Sequence, residues 1–336
     1  MHKRKSETYD RTGLGRAIGN LAIGKARFKN KLNFITLSWG RRGERFIWSS
    51  KSKALSDVVT APLSFLGDKM LKGADFVICA GRAVTTPNRF QTTKDAKTAL
   101  ECTQGAPIIF EVSRTGEPPS WGVLWKGSRK IHFDIVRSHQ IIATSDEIDG
   151  SAGLTKYNRT LSSLRHVFDK NEGLLRLKNQ EYWFQLFICG ENNFIKKRAG
   201  RSKESLFVFD LAELGPAIPI PKFCRDEKWI LINPSHRPYT PVISGGGANY
   251  NTVGGIRPTV ARMIKDHKYK DGTYPPSAII HVNNYSGEWS ENQATRVFTR
   301  EGGLRCRTHM GEFRKVDEEY DRPVFISRKF QINLPS

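Results

Sequence analysis

The apolar residues of this chain fall in short runs whose period changes repeatedly. Asn33–Gly40 (NFITLSWG) and Arg45–Ser50 (RFIWSS) predict two strands joined by a turn at Gly40-Arg41-Arg42-Gly43. Asp75–Gly81 (DFVICAG) is short and almost wholly apolar, which predicts a buried strand. A helix is expected over Lys94–Cys102. Thr92 and Asp95 form a capping pattern at its start, Ala96, Ala99 and Leu100 share one face, and Gly105 ends it. Pro107–Ser113 (PIIFEVS) predicts a strand. So does Lys130–Val136 (KIHFDIV), whose alternation puts Ile131, Phe133 and Ile135 on one face.

The next segment switches period. Leu154, Tyr157, Leu161, Leu164 and Phe168 recur at helical spacing and predict an amphipathic helix, with Lys156, Arg159, Arg165 and His166 off the apolar stripe. Glu181–Cys189 (EYWFQLFIC) predicts a buried strand. Pro216, Pro219 and Pro221 then impose an extended, stiff connection. Beyond it, Trp229–Asn233, Ile279–Asn284 and Lys329–Leu334 predict strands, with Phe330, Ile332 and Leu334 facing inward, and Pro258–His267 predicts a helix. The expected architecture is α/β or α+β, with mixed sheets and interspersed helices. Its expected divisions are a flexible basic arm (1–33), a mixed domain (34–214), a proline-rich linker (215–221) and a smaller α+β domain (222–336).

Composition narrows the class. Hydrophobic residues make up 38% of the 336, enough for packed cores and against a disordered chain. No apolar run approaches the roughly 18 residues of a membrane helix. The N-terminus has no apolar stretch behind its charges, so an intracellular protein without a recognisable secretory signal is expected. The five cysteines form no CxxC pair, which argues for free thiols over a disulfide framework or a zinc site.

Charge changes the picture most. Lys and Arg number 54 against 33 Asp and Glu, a net of +21. Residues 1–53 alone hold fourteen basic side chains and three acidic ones. Such a surplus predicts a polyanionic partner, DNA or RNA, bound through phosphates. Candidate contacts are Arg41 and Arg42 in the predicted turn, and Lys196, Lys197, Arg198 and Arg201 in the basic run ENNFIKKRAGRSK. Others are Arg257, Arg262, Lys265 and Tyr250 in and after the glycine-rich stretch ISGGGANYNTVGGIRPTVARMIKD (Ile243–Asp266). A strand, a glycine-rich loop and a helix start together suit an anion. The stretch lacks both standard nucleotide-loop spacings, so a nucleic-acid backbone fits it better than a nucleotide.

Were the protein an enzyme, phosphodiester hydrolysis would be the expected chemistry. Asp75 and Glu111 on successive predicted strands suggest a nuclease pair holding Mg²⁺. Ser113 stands where such sites carry a lysine, and the plain alternative is that Asp75 caps a strand while Glu111 pairs with an arginine. His281 and His309, with His236 as a further candidate, suggest general acid–base catalysis instead. Two other classes fit parts of the sequence. A coat-type protein packaging nucleic acid would use the same basic arm. An ADP-ribosyltransferase-like fold would use Arg82, Thr92, Thr93 and Glu147 in that order.

Overall fold

A computed structural model describes residues 9–10, 19–42, 45–46, 61–81, 84–85, 93–113, 120–138, 164–188, 222–226, 228–235, 272–285, 294–299, 309–317 and 322–334. In chain order the strands are β1 (Tyr9–Asp10), β2 (Leu21–Lys25), β3 (Lys31–Trp39), β4 (Arg41–Arg42), β5 (Arg45–Phe46), β6 (Phe76–Cys79), β7 (Val84–Thr85), β8 (Ile108–Ser113) and β9 (Ser120–Lys126). There follow β10 (Ile131–Ser138), β11 (Leu174–Lys178), β12 (Trp183–Leu186), β13 (Trp229–Pro234), β14 (Ala278–Val282), β15 (Thr295–Thr299), β16 (His309–Asp317) and β17 (Arg322–Asn333). The helices α1 (Ala61–Ser64), α2 (Gly67–Leu71) and α3 (Thr93–Cys102) lie between β5 and β8.

The protein is a mixed α+β fold built on two mixed sheets. The first has the order β1-β10-β9-β8-β6-β3-β17-β16, with β7 beside β8. Its centre is parallel, because β3, β6 and β8 follow one another through the helical crossovers that parallel neighbours need. The second has the order β15-β14-β13-β12-β11-β2, with β12, β13 and β14 parallel. The expected linker at 215–221 lies outside the described residues. Strands from before and after it pair directly, β12 with β13 and β3 with β17. Residues 19–33, assigned by sequence to the arm, supply β2 and the start of β3, with Ile23 and Ala26 buried.

One continuous core joins the sheets. Phe34 of β3 is stacked between Phe76 of β6 and Phe330 of β17, at centroid distances of 5.5 and 5.3 Å. Phe76 meets Phe184 of β12 edge-on at 5.6 Å, which ties the first sheet to the second. The inward set Phe330, Ile332 and Leu334 is buried as its alternation predicts. In α3, Ala96, Ala99 and Leu100 are buried, and Gly105 (φ +83°) closes the helix by donating its N–H to Leu100 O at 2.7 Å. Of the helix expected over 154–168, only 164–169 is described and helical, with Leu164 and Phe168 buried. Cys79 and Cys224 are buried free thiols. Among the described residues, no helix is long and apolar enough to cross a membrane.

β16 borders the first sheet, and an ion-pair cluster holds it to β17. Glu312 stands opposite Arg328 in the ladder and bonds both Arg328 and Arg314. Burial pushes the Glu312 carboxyl up, but the two guanidiniums outweigh it and hold it below its ordinary 4.5. A depressed carboxylate contributes stability above its unfolded value and loses it as pH falls through the folded value. Glu312→Gln should therefore cost about 1 kcal/mol at neutral pH. In urea melts at a series of pH values, its gap from wild type should close as the pH drops below 4.5.

Candidate nucleic-acid interface

The link from the second sheet to the first is the heptapeptide Lys25–Lys31, KARFKNK. It leaves the border strand β2 and enters the middle of the first sheet at β3. Ala26 is buried, while Lys25, Arg27, Phe28, Lys29 and Lys31 are exposed. Its backbone is tied down from several directions. The Ala26 N–H donates to Lys178 O at 3.1 Å, and Asn179 Nδ2 donates to Ala26 O at 2.8 Å. Gln180 Nε2 donates to Phe28 O at 2.6 Å and to Lys31 O at 3.3 Å. The Leu334 N–H donates to Asn30 O at 2.9 Å.

The anchor beneath is Asp75. Its Oδ1 accepts from the Arg27 N–H at 2.6 Å and its Oδ2 from the Asn33 N–H at 2.7 Å, while its own N–H donates to Asn33 O at 2.7 Å. Both carboxylate oxygens are thus used, one to hold Arg27 within the connector and one to hold Asn33 just beyond it on β3. The side chain is buried. Burial pushes its pKa above the ordinary value, against the pull of the Asn33 and Arg27 N–H donors and the Arg27 charge.

Further cations border the connector. Lys25 is the register partner of Lys178 across the β2–β11 ladder. Arg176, two residues earlier on β11, holds its guanidinium 5.2 Å from the Trp183 ring. Lys329 donates to Lys72 O at 2.6 Å, and its pKa is lowered first by burial and then by the Arg27 charge. Among the described residues, two carboxylates near the connector are engaged: Asp75 in the backbone clamp, Glu181 with Lys228. The Lys228 ammonium lowers the Glu181 pKa, with a smaller contribution from Lys29. Like charges on neighbouring strands repel by some tenths of a kcal/mol. A bound polyanion removes that cost.

The structure separates the other predicted site residues. In the parallel β6–β8 ladder Val77 pairs with Ile108, so Asp75 stands level with Ala106. Glu111 lies five residues farther along, about 16 Å at strand rise. Asp75 and Glu111 therefore do not form the expected Mg²⁺ pair. Glu111 is buried in register with Trp121, which is in register with Arg137, also buried. That row belongs to the interior of the fold. Among the described residues, no three His, Cys, Asp or Glu side chains converge as a metal site.

His281 and His309 are also apart. His281 is buried on β14, with Nδ1 at 2.7 Å from Asn233 Oδ1; an Nδ1–H donating there fixes the ring. Its strand neighbours Ile280 and Val282 belong to the inter-sheet core, so alternation turns His281 to the far face of the second sheet. His309 lies on β16 of the first sheet. The histidine pair expected for acid–base catalysis therefore lies on strands of different sheets, and His236 lies outside the described residues. Arg41 and Arg42 form β4, paired with β5. Lys196, Lys197, Arg198, Arg201, Tyr250, Arg257, Arg262 and Lys265 lie outside the described residues, as do Arg82, Thr92 and Glu147.

The basic residues of KARFKNK are part of the N-terminal surplus of charge, and no standard motif marks the segment out. The available signal was an aromatic residue flanked on both sides by alternating cations. No protein-family model matches this chain, and no curated protein matches it.

Proposed function

We propose that the protein binds nucleic acid, DNA or RNA, and that Lys25–Lys31 with Arg176 and Lys178 forms the phosphate-binding surface. The observation that carries the reading is a dense cationic segment whose backbone is fixed and beside which the described carboxylates Asp75 and Glu181 are already engaged. A flexible basic tail loses conformational entropy on binding. Here the folded state already holds the connector in place, so more of the phosphate attraction remains as affinity. The +21 charge of the whole chain supplies long-range attraction to the same partner. Phosphodiester hydrolysis by Asp75 and Glu111 is not part of the proposal, because the β6–β8 ladder holds them apart.

The test is fluorescence anisotropy with labelled oligonucleotides over a series of salt concentrations. Each phosphate contact contributes about 0.7 to the log–log slope for single strands and about 0.9 for B-DNA. Four to six engaged cations predict a slope of about −3 to −5. Absence of binding to any DNA or RNA at low salt would refute the reading.

A further inference from the structure

We infer that Phe28 is a stacking platform for an unpaired base, so that the preferred ligand is a single strand; this rests on the nucleic-acid reading above. Phe28 is 48% exposed; of the other phenylalanines whose side chains are described, Phe65 is also exposed, Phe313 is partly buried and the rest are buried. Phe65 has other company: the Lys315 ammonium lies 4.2 Å from its ring centroid, and Phe325 lies 6.3 Å away. The Phe28 ring has the Arg27 guanidinium at 5.6 Å and cations on both sides along the chain.

Its exposure is imposed by the backbone. An unanchored loop would turn a phenyl ring inward, because burying it is worth about 2 kcal/mol. Here the Phe28 carbonyl is held by Gln180, the preceding N–H by Asp75, and Ala26 by both Asn179 and Lys178. The connector therefore presents the ring outward in a fixed place. The side chains that do this, Asp75 and the adjacent pair Asn179 and Gln180, come from two separate parts of the chain.

An outward ring among cations matches a particular chemistry. Sequence-tolerant single-strand binders combine a cationic track for phosphates with aromatic rings for bases. In a duplex both faces of each base are already stacked on neighbours, and a surface ring cannot reach them. In a single strand the base faces are open, and guanidinium beside the ring adds cation–π attraction to the stack. Lys25, Lys29 and Lys31 then contact the phosphates on either side of the stacked nucleotide.

The experiment compares Phe28→Ala, Phe28→Trp and Lys25→Gln/Lys29→Gln with wild type. The ligands are an oligonucleotide carrying 2-aminopurine, as a single strand and as a duplex of the same sequence. Phe28→Ala should weaken single-strand binding about tenfold and abolish the quenching of 2-aminopurine. Its salt slope should not change, since no cation is lost. Duplex binding should move less than about twofold, and Phe28→Trp should keep single-strand affinity and quenching. Equal single-strand affinity for Phe28→Ala, or an equal loss on single strand and duplex, would overturn the stacking role. If the lysine variant loses affinity while Phe28→Ala does not, stacking falls and the nucleic-acid reading stands. If wild type binds neither ligand, both fall.

Discussion

Replacing Lys25, Arg27, Lys29 and Lys178 together by glutamine should lower affinity for a single-stranded oligonucleotide about 100-fold at physiological salt. The salt slope should flatten by about 3, since each lost phosphate contact removes about 0.7. Two features make this a demanding prediction. First, the four side chains are exposed, and the anchoring bonds of the connector run through backbone groups at Ala26, Arg27 and Phe28. The variant should therefore keep its fold, and relief of repulsion between Lys25 and Lys178 should leave its melting temperature equal or higher. Second, four charges removed from a chain of net +21 change the long-range field by less than a fifth. A general attraction of the whole protein would weaken only slightly. A loss of two decades with unchanged stability would localise binding to this surface. A loss below about threefold would move the interface elsewhere on the chain.

How far the sequence was legible depends on the kind of pattern. β3, β6, β8, β13, β14 and β17 were readable because each is a strong apolar run or a strict alternation, and α3 because its apolar face and terminal Gly105 agree. β9 was missed. It contains Gly122, where a Cβ would stand 2.4 Å from the Phe133 ring of β10, so the glycine is a packing requirement that looks like a strand breaker. β16 was missed for the opposite reason. Its alternation places Glu312, Arg314 and Val316 outward on a border strand, and the charges hide the period. The pairing of β2 with β11, and of β3 with β17, joins residues far apart in the chain, and no local pattern encodes such pairing. The candidate site suffered most. Asp75 and Glu111 looked like a pair because both sit on successive apolar strands, but strand register decides whether they meet, and register follows from the packing of the whole sheet.

The same residue gives the sharpest test of that lesson. Asp75→Ala should lower the stability of the protein by about 3 kcal/mol in denaturant titration, because it strands the Arg27 and Asn33 N–H donors without acceptors. A metal ligand behaves differently. Removing a carboxylate from a catalytic site commonly leaves stability unchanged or raises it, because such sites sacrifice stability for function. The clamp reading and the metal reading therefore predict different outcomes for one substitution: a clear loss of stability against no loss or a gain. They also differ in what magnesium does: the clamp predicts that Mg²⁺ leaves the wild-type denaturation midpoint where it was, whereas a ligand would couple metal to folding. Binding should follow stability in a specific way. With the Arg27 and Asn33 N–H groups released, Lys25–Lys31 loses one of its anchors and is less firmly held, so single-strand affinity should fall while the salt slope, which counts cations, stays near the wild-type value. That combination separates Asp75→Ala from the charge variant, which should lose slope and keep stability. The carboxylate that looked like chemistry in the sequence is, on this account, what gives a cationic segment a fixed shape.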